Sequence, residues 1–164
     1  FVPSAAAILP GIRGLIDAFH RKDRPVILTR HLNTQENAGI MAEWWADLIR
    51  EEDPSSEIVP ELDDPRAFRI QKSQYDAFNL TGLEKQLRDL GVTQVVITGV
   101  LTHLCCETTA RSAFMRGFQV FFAVDGTATY HEDFHRATLL NLCHGFAVPV
   151  LVDDIRMILE PLEG

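Results

Sequence analysis

Three patterns in the chain bring chemistry-bearing side chains together at informative spacings. The first is Thr102-His103-Leu104-Cys105-Cys106, just after the run Val95-Val96-Ile97-Thr98-Gly99-Val100. A short β-branched apolar run reads as a buried strand, and Gly99 marks where that strand stops and turns. From Thr102 the spacing becomes helical. Leu104, Thr108, Ser112 and Met115 fall on one face, with Ala110, Ala113 and Phe114 beside it. Thr102 is the expected N-cap, its hydroxyl accepting from a backbone N–H two or three residues on. Cys105 then sits in the first helical turn, where free N–H groups and the positive dipole end favour an anion and a thiol ionises more readily. The same N–H groups suit the oxyanion of a tetrahedral intermediate. The chemistry this spells is nucleophilic attack on a carbonyl. Cysteine is also a common small buried apolar residue, so this stretch alone leaves both readings open.

The second pattern is His131-Glu132-Asp133-Phe134-His135, which matches the H-E-x-x-H of zinc peptidases, where i, i+4 spacing puts both histidines on one helix face. Here the first histidine falls at the expected start of a helix and no third ligand is evident, so a polar helix start is the favoured reading. The third is aromatic. Trp44, Tyr75 and Phe78 are candidates to contact a small-molecule substrate. Trp44 and Trp45 are adjacent, so on a helix they diverge by about 100° and cannot both face one ligand. His103 follows the same logic beside Cys105 and is at most a supporting residue. Cys106 is expected to face the core, and Cys143 lies on an apolar helix face.

The elements that must position these residues alternate. A helix is expected over 11–21 with Ile12, Leu15, Ile16 and Phe19 inward, then a strand over 25–29 ending at Arg30-His31. A long polar connection, 32–56, carries a short helical piece around 41–49, and a loop of that length in a small domain is usually functional. A strand over 68–71 leads into Lys72. A helix over 80–90, with Leu80, Leu83, Leu87 and Leu90 in register, closes at Gly91. After the central strand and helix come a strand over 119–124, a helix from about 133 to 143, and a strand over 147–152. Such alternation makes an α/β fold, a three-layer, doubly wound and mainly parallel sheet, in one domain spanning 1–164. Ligands bind outside the carboxyl ends of such strands. His31, Lys72, residues 101–105 and Asp125 all fall at expected strand ends.

Bulk properties narrow the function class. The chain has 164 residues, 46% of them hydrophobic, enough for a core that folds unaided. A net charge of −8 with no basic stripe argues against nucleic acid as a partner. No apolar run approaches the roughly 20 residues of a membrane span. The three cysteines, two of them adjacent, do not look like a disulfide framework, so a reducing cytoplasm is expected.

Several separate stretches match one family. Gly99-Val100-Leu101-Thr102-His103-Leu104-Cys105-Cys106-Glu107-Thr108-Thr109-Ala110-Arg111 resembles the G-V-x-T-x-x-C-V-x-x-T-A-R signature of isochorismatase-like cysteine hydrolases. Lys72-Ser73-Gln74-Tyr75-Asp76-Ala77-Phe78 resembles their K-x-x-Y-S-A-F segment, and Thr29-Arg30-His31, Trp44-Trp45 and residues 57–62 are similar to the branch named for isochorismatase. The resemblance covers about residues 1–150. It implies a Cys–Lys–Asp triad in which Cys105 attacks a carbonyl to give a thioester acyl-enzyme, and Lys72 stabilises the thiolate and the charge developing in the transition state. It also implies a non-proline cis peptide at Val100–Leu101, setting the N–H of Leu101 beside that of Cys105 as an oxyanion hole. No cofactor is implied, and homodimers or homotetramers are common in the family.

Two departures bear on the reaction. The family's aspartate belongs to a D-x-Q segment five residues before a phenylalanine resembling Phe1, so the first strand is expected upstream of residue 1. Asp17 and Asp125 are unconvincing substitutes. In true isochorismatases the position of Cys105 can be glycine, so a cysteine there favours hydrolysis of a small amide, carbamoyl or ureido C–N bond. Vinyl-ether hydrolysis of isochorismate, or ligand binding without catalysis, are the alternatives. The nicotinamidase branch holds a metal with Asp and His near the second strand. Only His31 is available here, so no metal is expected.

Overall fold

In the computed structural model, residues 2–159 are described. Five parallel strands alternate with helices: α1 (Ala5–Arg21), β1 (Ile27–His31), α2 (Met41–Trp44), β2 (Phe68–Lys72), α3 (Leu83–Asp89), β3 (Gln94–Val100), α4 (Glu107–Met115), β4 (Gln119–Ala128), α5 (Glu132–Gly145), β5 (Val148–Val150) and α6 (Val152–Leu159). The expected α/β architecture is present, with the strands in two parallel sheets, β1–β2 and β3–β4–β5. β1 and β2 pair from Ile27 with Phe68 to His31 with Lys72. Directly paired residues project to the same side of a sheet, so His31 and Lys72 are neighbours by register alone.

Two apolar layers span both sheets. On one side Phe118, Val120, Phe122 and Leu142 form a buried cluster with Leu83, Leu87, Ala110 and Ala113, against which Ile27 and Ile70 of the first sheet and Val95 and Ile97 of the second also pack. Burying a side chain of this size contributes roughly 1.5–3 kcal/mol. On the other side Ile8, Ile12 and Ile16 of α1 cover Val26, Leu28 and Ala128, while Leu15 meets Ala123, Val152 and Ile155. The inward face expected of α1 is the observed one, but the helix starts earlier, at Ala5, and runs through Pro10. Burial of Ile8 offsets the hydrogen bond that proline cannot make.

Several expected elements differ. The helix expected over 80–90 begins at Leu83, because Leu80 adopts a positive φ of 54° and is 93% exposed. The helical piece at 41–49 ends at Trp44. β4 runs on to Ala128, so Asp125 lies within the strand and its Oδ1 accepts from the Val152 N–H (2.8 Å), the first residue of α6. α6 itself has no counterpart among the expected elements. Gly126 is the tightest glycine in the fold: a Cβ there would lie 2.8 Å from that of Ala123.

Candidate active site

The strand-to-helix connection after β3 differs from the expected helix start in an instructive way. Residues Thr102–Cys106 form a single π turn ahead of α4. The Leu101 carbonyl accepts from the Cys106 N–H five residues on (3.1 Å) and from the Leu104 N–H (3.2 Å). Thr102 makes no cap. It is fully buried and its Oγ1 hydrogen-bonds His135 Nδ1 at 3.1 Å. One residue more per turn than an α-helix shifts the phase of the helix beyond it, so α4 buries Thr109, Ala110 and Ala113 while Met115 is exposed. The Val100–Leu101 peptide preceding the turn is cis.

The turn separates the two adjacent thiols. Cys106 is buried, its Sγ–H directed at the Thr98 carbonyl (3.8 Å), and burial pushes this thiol well above the ordinary cysteine range. Cys105 is only partly buried, and its Sγ lies 3.2 Å from Lys72 Nζ. Lys72, at the carboxyl end of β2, is 5% exposed. Its other partners among the described residues are the Gln74 carbonyl at 2.9 Å and His31 Nδ1 at 3.4 Å. A buried ammonium beside a thiol lowers the cost of charge on sulfur. Lys72 ends a strand of one sheet and Cys105 follows a strand of the other, and the shared core brings them together.

The segment after Lys72 is fastened on both sides. Thr109 Oγ1 of α4 accepts from the Ala77 N–H (3.0 Å), and Ser112 Oγ donates to Asp76 Oδ2 (2.6 Å). The 32–56 connection folds over the same segment: Gln74 Nε2 donates to the Asn37 and Ala38 carbonyls, and Trp45 Nε1 donates to Tyr75 Oη at 2.7 Å. Tyr75 therefore lies three residues from Lys72, held by Trp45. Phe78 is placed elsewhere. It is 6% exposed and stacks on Phe118 with centroids 5.9 Å apart, and the Arg116 guanidinium lies 4.9 Å from its ring centre, so its ring packs in the core. Trp44 is 76% exposed; Trp45 is the tryptophan bonded to Tyr75. No spacing rule distinguishes the two.

The two histidines of the H-E-x-x-H pattern are engaged separately. His131 accepts from the Asp133 N–H and caps its own helix, while His135 is occupied by Thr102. His31 has Nε2 against Asn33 Oδ1 (2.7 Å) and Nδ1 against the Lys72 ammonium. Among the described residues no three His, Cys, Asp or Glu side chains converge. Among those residues no carboxylate pairs with Lys72 either. Asp17 is bound to Arg13. His31, expected at a strand end, is set beside Lys72 by the register of β1 against β2, while Asn33, bonded to His31, had no signal in the sequence.

Fold and sequence have counterparts among known proteins. The fold is shared: a cysteine hydrolase from Pseudomonas syringae pv. phaseolicola 1448A superposes with a TM-score of 0.92 at 24% identity, covering 98% of this chain and 83% of that one. The chain belongs to the isochorismatase family of hydrolases, whose family model, "Isochorismatase domain", matches residues 2–154. Nicotinamidase 3 of Arabidopsis thaliana is 42% identical over 161 residues, which cover 95% of this chain and 81% of the relative. Enterobactin synthase component B of Escherichia coli (strain K12) is 29% identical over 143 residues, which cover 84% of this chain and 49% of the relative, so the chain spans about half its length.

Proposed function

We propose that this protein hydrolyses the C–N bond of a small carboxamide or carbamoyl compound through a thioester on Cys105. The observation behind this reading is the 3.2 Å approach of Lys72 Nζ to Cys105 Sγ, with the lysine buried. Sγ bonds to the carbonyl carbon as the π pair moves onto oxygen, which the N–H groups of Leu101 and Cys105 receive. The tetrahedral centre collapses with C–N cleavage. Nitrogen leaves as ammonia or an amine, taking the proton that the thiol gave up. Water then adds to the thioester, the C–S bond breaks and the acid departs. Lys72 holds positive charge beside sulfur throughout, and Tyr75, fixed by Trp45, lines the approach. The likeness to a nicotinamidase favours a C–N bond over a vinyl ether.

Ammonia release from a panel of small amides and ureides beginning with nicotinamide is the test. Turnover by the wild type that Cys105→Ala abolishes supports the reading; turnover undiminished in Cys105→Ala refutes it. We also propose a homo-oligomer in a reducing compartment. Exposed Ile40, Trp44 and Leu140 and three free cysteines support this, and light scattering checks the mass.

A further inference from the structure

Helix α5 takes no part in the proposed hydrolysis, yet it meets the π turn on both sides of the thiol. Ahead of Cys105, Thr102 opens the turn with its side chain fully buried, and its Oγ1 is hydrogen-bonded to His135 Nδ1 at 3.1 Å. The His135 ring also donates to the Val124 carbonyl of β4 and lies in the field of Glu132. Behind Cys105, Glu107 is the first residue of α4, and its Oε2 accepts from the Thr138 hydroxyl at 2.6 Å. Thr138 is 1% exposed. The other carboxylate oxygen, Oε1, accepts from two nitrogens of Arg111 at 3.0 and 2.7 Å. That guanidinium lies 4.3 Å from the ring centre of Phe146, the residue that ends α5. His103, between the two anchors, stacks on Phe134 of α5 with centroids 4.4 Å apart. Its Nδ1 is 2.7 Å from Thr129 Oγ1, and the Glu107 charge reaches its ring.

His135 and Thr138 are three residues apart on α5 and so share one face of that helix. This face spans the turn from its first residue to the residue after its last. In a regular helix the ladder of hydrogen bonds fixes the heading of each side chain. The π turn interrupts that ladder, because the Leu101 carbonyl serves the N–H five residues on. The heading of Cys105 is then set by what holds the two ends of the turn. A hydroxyl donating to a carboxylate is a strong hold, and burial strengthens it. We propose that His135 and Thr138 are positioning residues for the hydrolytic site: by gripping Thr102 and Glu107 they fix where the π turn begins and ends, and so hold Cys105 Sγ at its 3.2 Å distance from Lys72 Nζ. This rests on Cys105 as the nucleophile. Both residues act through the turn and not on the substrate.

Thr138→Val keeps the shape of the side chain and removes the hydroxyl, while Thr138→Ser keeps the hydroxyl and drops a methyl. The readouts are kcat and KM for the best amide of the panel, and the iodoacetamide alkylation rates of all three cysteines at pH 7. We expect T138V to lose about tenfold in kcat with KM within about twofold, the pattern of a change confined to the chemical step. Alkylation of Cys105 should slow in parallel while Cys106 stays protected. T138S should stay within about threefold of the wild type in kcat. Equal behaviour of the two variants, whether both keep activity or both lose it, overturns the proposal. So does a T138V protein in which Cys106 alkylates as fast as Cys143, because α5 then supports the fold at large and not the heading of one thiol. Thr102→Val, which removes the hydroxyl bonded to His135, is the second arm and decides the matter should T138V not fold. It should lower kcat without raising KM, and a wild-type kcat in T102V overturns the proposal. Failure of the underlying reading is distinguishable: it shows with Thr102 and Thr138 intact, as ammonia release that Cys105→Ala leaves undiminished, and the proposal falls with it.

Discussion

Replacing Lys72 by Met removes the ammonium while keeping an unbranched chain of similar length in a site that is 5% exposed. The geometry sets the scale of the effect. Two unit charges 3.2 Å apart attract by roughly 5 kcal/mol at an effective dielectric constant of about 20, which is a ceiling on what the pair contributes. The floor is one hydrogen bond to a charged group, about 1.5 kcal/mol. Converted to rates, K72M should lower kcat/KM by between about tenfold and a few thousandfold. The assay is ammonia release at saturating and subsaturating amide, with the alkylation rate of Cys105 followed in parallel by peptide mass spectrometry. A thermal melt accompanies it, because the Gln74 carbonyl and His31 Nδ1 each lose a donor. A K72M protein that melts like the wild type and retains kcat/KM within about threefold refutes the reasoning, since a charge at this distance cannot be that small in effect.

The thiols should separate cleanly under iodoacetamide in the folded protein: Cys143 reacts as an exposed thiol and Cys106 stays unmodified until denaturant is added. Modification of Cys106 at the rate of Cys143 would contradict the burial described. Asp64 is buried between Arg66 (2.8 Å) and Arg13 (2.9 Å), which hold its carboxyl far below the usual carboxylate range. Its stabilising effect is therefore complete above the unfolded carboxyl range near 4 and fades as pH falls through it. Asp64→Asn should lower Tm at pH 7, with the gap to wild type narrowing below about pH 4; a gap independent of pH would count against the ion pairs. Gly126→Ala should cost about 1–3 kcal/mol in urea unfolding, because the new methyl meets Ala123 at 2.8 Å and Val152 Cγ2 at 3.1 Å. An unchanged midpoint would mean that β4 and α6 can part there freely.

What could be read from the sequence depended on how local each signal was. Strands β1 to β4 and the order of elements were legible because β-branched runs and 3–4 spacing are set within a few residues. Cys105 and Lys72 were legible as short motifs. The start of α3 was not, because a leucine in register with Leu83 and Leu87 proved to be a turn residue with positive φ. Nor was the buried face of α4: projecting an ideal helix from Thr102 gives the wrong face once one extra residue enters the first turn. Nearness to Lys72 points Phe78 at the substrate and aromatic character alone points Trp44 there, and only tertiary packing could put Phe78 on Phe118 and bond Trp45 to Tyr75. His31 was legible at a strand end, but its pairing with Lys72 depended on a non-local fact, the register of β1 against β2.

The π turn also uncouples two demands that an ordinary helix would tie together. In an α-helix the direction of an early side chain and the face that packs below it are locked by a fixed rotation of about 100° per residue. Here the surplus residue absorbs the mismatch, so α4 can seat Ala110 and Ala113 against the core while Cys105 keeps its own heading toward Lys72. A one-residue deletion anywhere in 102–104 would restore the regular screw. The helix could then satisfy its packing or its thiol, but not both.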